Sequence, residues 1–287
     1  MTPRMSDARI AFFGTDPLAG PILRELENAR IPVALIVAGT DKLDRKKKPL
    51  PPTEKQWALE RSVPVVQPVK IDTAFIDALA SEEWDLFIVA SYGKILPKRL
   101  LDIPKRGVLN VHPSLLPLLR GPSPIRTAIL RDMRETGVTI MQMDAEMDHG
   151  PIISQKRINV SPWPMKGREL DSLLADEGAR LLASVVPLWL TSEIEARDQQ
   201  HDLATYCSFI EKEHAFIDLS ADARQNLLKI AAYDGWPTAY FTAERGGKEM
   251  RVQIIDAHIE GTRLVIDRVK PEGKGEMSYP EFERGNG

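Results

Sequence analysis

The sequence predicts an α/β protein: a Rossmann-like, parallel-rich sheet followed by a small β-barrel. Two observations carry this reading. Between Ala8 and Val160, short apolar or β-branched runs alternate with helical segments, as they do where crossover helices cover both faces of a sheet. After about Thr205 the pattern changes to short strand-like runs separated by Gly-containing turns. The polar stretch Thr191 to Asp202 lies between them, so the expected organisation is a first domain over 1–190, a linker over 191–204 and a second domain over 205–287.

Ala8 to Phe13 reads as a buried strand, and Asp16-Pro17 offers an N-cap and a first-turn Pro for a helix reaching about Ala29. Pro32 to Val37, Asp85 to Ala90 and Val108 to Val111 are further strands, and helices are expected to start at Thr53, Asp72 and Pro122. Thr136 to Met143 and Ile152 to Val160 add two more strands around a loop from Asp144 to Gly150. The amphipathic run Gly167 to Trp189 reads as a long helix that Pro187 should kink or end. A helix over Asp222 to Ala232 precedes strands at Ala239 to Ala243, Met250 to Asp256 and Arg263 to Val269.

Composition removes several classes. Cys207 is the only cysteine, which excludes a disulfide framework within the chain and a multi-Cys zinc site. No apolar run of about eighteen residues is present, and Met1 to Asp7 lacks a signal peptide's apolar core. A cytoplasmic protein without a membrane partner is expected. Gly14-Thr15 lacks the G-x-G-x-x-G spacing of a dinucleotide site, there is no Walker motif, and the five His residues show no metal-ligand spacing. The formal charge of -3 argues against a generally basic nucleic-acid binder, and from Thr205 onward 14 Asp plus Glu outnumber 11 Lys plus Arg. Any RNA contact must therefore be local.

The most informative chemistry lies in Gly107-Val-Leu-Asn-Val-His-Pro-Ser-Leu-Leu-Pro117. Asn110 and His112 are two apart in an apolar run, so an extended strand projects both from one face. An amide donor and an imidazole would converge there. With a carboxylate such as Asp148 they can polarise a carbonyl, stabilise an oxyanion and move a proton, as acyl transfer to an amine requires. Asp144, four residues earlier in the same loop, competes for the carboxylate role. His149 is a second imidazole that could border the site.

These segments resemble the folate-dependent formyltransferases, most closely the branch acting on methionyl initiator tRNA. The likeness rests on Phe12-Phe-Gly-Thr15, Val89-Ala-Ser-Tyr-Gly-Lys-Ile-Leu-Pro97, Asn110-Val-His-Pro-Ser-Leu-Leu-Pro117, Arg120-Gly-Pro-Ser-Pro-Ile125, Glu135-Thr-Gly-Val-Thr-Ile-Met-Gln-Met143 and Met147-Asp-His-Gly-Pro-Ile152. It continues through Ala204-Thr-Tyr206, Ile217-Asp218, Trp236-Pro237, Arg268-Val-Lys-Pro-Glu-Gly273, Met277 and Arg284-Gly285. The resemblance implies a formyltransferase catalytic domain and a C-terminal OB-like tRNA-binding domain. It implies transfer from 10-formyltetrahydrofolate, without a metal, to the α-amino group of methionyl initiator tRNA.

By the same resemblance Asn110 and His112 bind the developing oxyanion, and the Met147-Asp-His-Gly pattern selects Asp148 as the carboxylate. Tyr92, Gly93, Ile95 and Leu96 would line the folate pocket, largely through backbone groups. Ser114, Leu115, Leu116 and Pro117 would form its other wall with Arg120-Gly121. Arg45, Lys46, Lys47 and Lys48, in the run Asp41 to Pro52, occupy the place of the family's tRNA-binding loop, although Leu43-Asp44 depart from its usual Gly-rich form. A monomer is expected. The rivals are a sugar-nucleotide aminoformyltransferase, a folate-dependent deformylase, and a folate- or RNA-binding module that has lost catalysis.

Overall fold

A computed structural model describes residues 7–15, 18–43 and 47–285. In chain order the elements are β1 (Ile10–Gly14), α1 (Ala19–Asn28), β2 (Leu35–Ala38), β3 (Lys42–Leu43), β4 (Pro49–Leu50), α2 (Thr53–Glu60), β5 (Val65–Val66), α3 (Thr73–Ala80), β6 (Leu86–Ala90) and α4 (Lys98–Leu101). They continue with β7 (Val108–His112), α5 (Pro124–Leu130), β8 (Glu135–Gln142), β9 (Ile152–Asn159), α6 (Gly167–Leu190) and α7 (Ala223–Ala232). The C-terminal part holds β10 (Tyr240–Arg245), β11 (Lys248–Glu260), β12 (Arg263–Pro271), β13 (Met277–Ser278) and α8 (Tyr279–Arg284).

By internal contact the chain forms two compact units. One comprises the chain up to Gly121 with Gly137–Ile158 and Asp171–Tyr206; the other comprises Pro122–Thr136, Asn159–Leu170 and the chain from Cys207. This division differs from a single cut in sequence, because α5, far upstream, packs on α7 of the second unit.

The first unit holds a seven-stranded sheet of order β5-β2-β1-β6-β7-β8-β9. The strands from β5 to β7 run parallel, whereas β8 is antiparallel to β7 with His112 opposite Thr139. Every residue of β1, β2 and β6 is buried, which explains the unbroken apolar runs. On one side of the sheet Phe13 meets Phe87 at 5.2 Å and, edge-on, Tyr92 at 5.6 Å. The chain leaves β1 toward β2 and β5, then crosses back to β6 on the other flank. The carboxyl ends of β1, β6 and β7 border the crevice created by this reversal, where such sheets bind ligands.

The long helix is present over the expected span, but Pro187 does not end it. It runs three residues past Pro187 to Leu190, and Thr191 N–H closes the last turn on the Pro187 carbonyl at 3.1 Å. So near the helix end, Pro removes one backbone bond without ending the element. The helix after Ser123 begins at Pro124, not Pro122, placing a residue without N–H where a helix leaves N–H groups unpaired. The Asp16-Pro17 cap lies outside the described residues.

The second unit holds an antiparallel sheet of order β10-β11-β12-β13. Its core gathers Ile217, Ile230, Phe241, Val252, Ile254, Val269 and Phe282. β11 extends to Glu260, past the expected end at Asp256, through a register shift at Asp256. β13 and α8 were not anticipated, although Ser278-Tyr-Pro-Glu281 has the spacing of a capping box and forms one, with Glu281 N–H donating to Ser278 Oγ at 3.4 Å. No helix among the described residues is long and apolar enough to cross a membrane.

Gly178 of α6 faces β7 and β8 so closely that an added Cβ would lie 2.8 Å from Val111 and 3.1 Å from Val138. Gly178→Val is expected to destabilise by about 1–3 kcal/mol through overpacking. Gly275→Ala, whose Cβ meets nothing within 4 Å, should change stability by less than about 1 kcal/mol. Urea unfolding midpoints of the two variants against the parent check the pair.

Candidate active site

Strand β7 carries Asn110 and His112 on one face, and the loop after β8 carries Asp148 to them. The amide Nδ2 of Asn110 lies 3.5 Å from Asp148 Oδ1, and His112 Nδ1 lies 3.6 Å from the same oxygen. His112 is 4% exposed. Its Nε2 sits 3.0 Å from the Leu119 carbonyl, which can only accept, so Nε2 carries a proton. In the neutral ring Nδ1 is then the unprotonated nitrogen, directed at the volume it shares with Asp148 and Asn110. The second carboxylate oxygen of Asp148 accepts from Gly121 N–H at 2.7 Å. Asp148 adopts φ 52° and Gly121 φ 116°, the left-handed side of backbone space.

Asp144 is occupied elsewhere. It accepts from Glu146 N–H at 2.9 Å as a turn residue and pairs with His149 Nδ1 at 2.7 Å. The His149 ring stacks on His201 with centroids 4.1 Å apart, so its described partners are Asp144 and His201 rather than His112. Of the two candidate carboxylates, Asp148 is the one beside the imidazole.

The Tyr92 to Leu96 segment divides in two. Tyr92 and Leu96 point into the core, and burial pushes the Tyr92 phenol up to about 12. Its hydroxyl has no hydrogen-bond partner among the described residues. A Cβ at Gly93 would meet no atom within 4 Å, and Ile95 is 85% exposed. Gly93 and Ile95 therefore offer an open, apolar surface with accessible backbone just past β6, compatible with a flat ligand. Thr15, following β1, donates its hydroxyl to the Ser91 carbonyl and braces this turn.

The other segment, after β7, is internally satisfied. Ser114 Oγ donates to the Leu118 carbonyl at 2.6 Å, and Thr139 Oγ1 accepts from Leu116 N–H at 3.1 Å while donating to the Ser114 carbonyl at 2.7 Å. Gln155 donates to the Leu116 carbonyl at 2.8 Å, and Thr205 N–H to the Pro117 carbonyl at 3.2 Å. Ser114 and Leu116 are buried, so with Leu115 and Pro117 they shape a rigid loop.

Lys47 and Lys48 are exposed beside β4, which pairs with β3 through Lys42 and Leu50. Arg45 and Lys46 lie outside the described residues. Sequence reasoning missed the Leu119 carbonyl that orients His112, because a backbone acceptor leaves no residue-type signal. It also missed Gln199, which sits in the polar stretch Thr191 to Asp202. No group of His, Cys, Asp and Glu among the described residues is placed to hold a metal ion.

An amide, an imidazole and a carboxylate converge at the carboxyl edge of a doubly wound sheet, an arrangement able to support acyl-type group transfer. Residues 8–186 match the formyl transferase family, and the chain belongs to it. It is 33% identical over 302 residues to methionyl-tRNA formyltransferase of Bacillus subtilis (strain 168), covering 96% of this chain and 94% of that one. The fold is shared with an N-formyltransferase from Helicobacter canadensis solved with folinic acid and dTDP-3-aminofucose, at TM-score 0.67, 17% identity and 88% of each chain. It is also shared with methionyl-tRNA formyltransferase from Clostridium thermocellum, at TM-score 0.60, 15% identity, 92% of this chain and 98% of that one.

Asp148→Asn keeps the shape of the side chain and removes its charge, whereas Asp144→Asn perturbs a turn and a His149 contact. The first is expected to lower formyl-transfer turnover at least about a hundred-fold, the scale of losing one preorganised electrostatic group, and the second by far less. Steady-state rates of the two variants check this, and the reverse order would transfer the role to Asp144.

Proposed function

We propose that this protein transfers a formyl group from 10-formyltetrahydrofolate to the α-amino group of methionyl initiator tRNA. The observation that carries it is the convergence of Asn110 and His112 on Asp148, in a chain matched along nearly its whole length by a methionyl-tRNA formyltransferase. Likeness to a sugar-modifying enzyme is confined to the fold, so the sugar-nucleotide alternative is not favoured.

The reaction joins the amine nitrogen to the formyl carbon and breaks that carbon's bond to N10 of the folate. Between the two, the formyl oxygen bears negative charge. One Asn110 N–H faces Asp148, and the other is free in direction to donate to that oxygen. His112 Nδ1 takes a proton from the attacking ammonium centre, and the Asp148 carboxylate counters the imidazolium so formed. The leaving nitrogen recovers a proton as the carbon–nitrogen bond breaks. Gly93, Ile95 and the backbone of Tyr92 and Leu96 hold the folate ring, with the loop Ser114 to Pro117 as a stiff boundary.

The donor is a co-substrate, and no metal step is needed in this scheme. Arg45, Lys46, Lys47 and Lys48 contact acceptor-arm phosphates, and residues 205–287 supply a further tRNA surface. We assign the enzyme to the cytoplasm as a monomer, in keeping with its single cysteine and its translation-enzyme relatives.

Asn110→Ala and His112→Ala should each reduce transfer at least about a hundred-fold while folate binding persists, because each acts mainly on transition-state charge. Rates with charged initiator tRNA, alongside folate titrations, read both quantities. Activity near that of the parent in either variant would refute the assignment.

Replacing Arg45, Lys46, Lys47 and Lys48 together with Ala should flatten the log-log salt dependence of tRNA binding by roughly 0.9 per lost phosphate contact. Folate binding should not change. Parallel salt plots with equal affinity would remove the loop from the RNA interface and revive the sugar-nucleotide alternative.

A further inference from the structure

We infer that Gln199 is a positioning residue for Asp148, acting through the backbone of the loop that carries it; this rests on the proposed formyl-transfer reading of the site. Gln199 is 5% exposed, and every polar atom of its amide is engaged. Its Nε2 donates to the carbonyls of Asp148 at 2.9 Å and Gly150 at 2.7 Å. Its Oε1 accepts from Arg120 Nε at 3.1 Å and Nη2 at 2.7 Å. The partners fix the amide's orientation, since two carbonyls require the donor end and a guanidinium requires the acceptor end.

The loop needs such a clamp. Asp148 holds a left-handed backbone at φ 52°, a conformation that a non-glycine residue keeps only when its surroundings impose it. Gly150 is so tightly seated that a Cβ would lie 2.0 Å from the Gln142 carbonyl oxygen. On that side Gln142 N–H ties the loop to the Pro151 carbonyl at 2.9 Å; on the other, Gln199 ties two carbonyls at once. Arg120, 2% exposed, joins the two levels. Its guanidinium orients Gln199, and the next residue, Gly121, donates its N–H to the Asp148 carboxylate. Backbone and side chain of Asp148 are thus referenced to the same pair of residues. A loop displaced by an ångström would take the carboxylate out of register with His112.

The test is a double-mutant cycle of Gln199→Glu with Asp148→Asn, read by single-turnover formyl transfer with 10-formyltetrahydrofolate and charged initiator tRNA. Glu keeps the acceptor facing Arg120 and turns the donor into a second acceptor facing two carbonyls. In the parent background it should lower the rate on the order of a hundred-fold, the scale of misplacement by about an ångström, with the steady-state KM for both substrates, measured alongside, within about two-fold. In the Asp148→Asn background the same change should cost less than about three-fold, because there is no longer a charge to position. A purely structural role would cost the same in both backgrounds, and that result would overturn the proposal. So would parent-like turnover of Gln199→Glu.

Gln199→Met, uncharged and of similar length, is carried through the same cycle, and thermal melting is followed for each protein. Loss of the folded transition in both Gln199 variants would overturn positioning in favour of folding alone. Failure of the parent enzyme to formylate charged tRNA would instead refute the proposed substrate, which the ratio between backgrounds does not decide.

Discussion

A carboxylate with only 14% of its side chain exposed has lost most of its hydration and must be compensated by donors around it. Asp148 finds the donors Gly121 N–H on one oxygen and Asn110 Nδ2 near the other, with His112 Nδ1 facing that second oxygen. These partners restrict what each neighbour can do. The imidazole is turned so that Nε2 reaches the Leu119 carbonyl and Nδ1 faces the charge. The loop from Leu119 to Gly121 thereby holds both the imidazole and the carboxylate, through one carbonyl and one N–H two positions apart in sequence.

Sheet topology makes that convergence possible. Parallel pairing of β1, β6 and β7 brings Gly14 beside Ala90 and Val89 beside Asn110, so the turns that follow these strands open on the same edge. The antiparallel return of β8 then delivers the Asp144 to Gly150 loop beside β7, with Gln142 opposite Leu109. Because the strands are antiparallel, Thr139 of β8 lies opposite His112 and the end of β8 lies toward the amino end of β7, so the loop reaches Asn110 and His112 through Asp148 by lying back along that strand. Close packing of Gly178 against Val111 and Val138 brings α6 onto this pair of strands.

What was legible in the sequence was local. Apolar runs marked β1, β6 and β7, the i, i+2 spacing put Asn110 and His112 on one face, and Asp72 capped its helix as its residue type suggests, accepting from Phe75 N–H at 3.0 Å. The role of Gln199 was hidden because it depends on meeting Asp148 and Gly150 across some fifty positions, and a Gln among polar neighbours carries no pattern. The direction of β8 was hidden for a similar reason, since antiparallel and parallel strands buried on both faces read alike. The core placement of Tyr92 and Leu96 could not be separated from the surface placement of Ile95, because all are apolar in one short turn.

The same fold is found in an enzyme solved with a nucleotide-linked amino sugar and in one named for tRNA, so the scaffold alone does not choose the amine. Choice must come from groups outside the transfer chemistry. In a chain of net charge -3, those groups have to be concentrated to attract a polyanion. In the proposed reading that part is taken by the basic run that begins at Asp41, whose own charge does not oppose it. Asp41 is engaged inward by Lys55 Nζ at 2.8 Å and Gln67 Nε2 at 2.7 Å, contacts that hold its carboxyl below the usual carboxylate range. Its negative charge is therefore answered within the protein at the base of β3, while Lys47 and Lys48 stay exposed beside β4. On the proposed tRNA reading, a phosphate approaching the exposed Lys47 does not first meet an uncompensated Asp41.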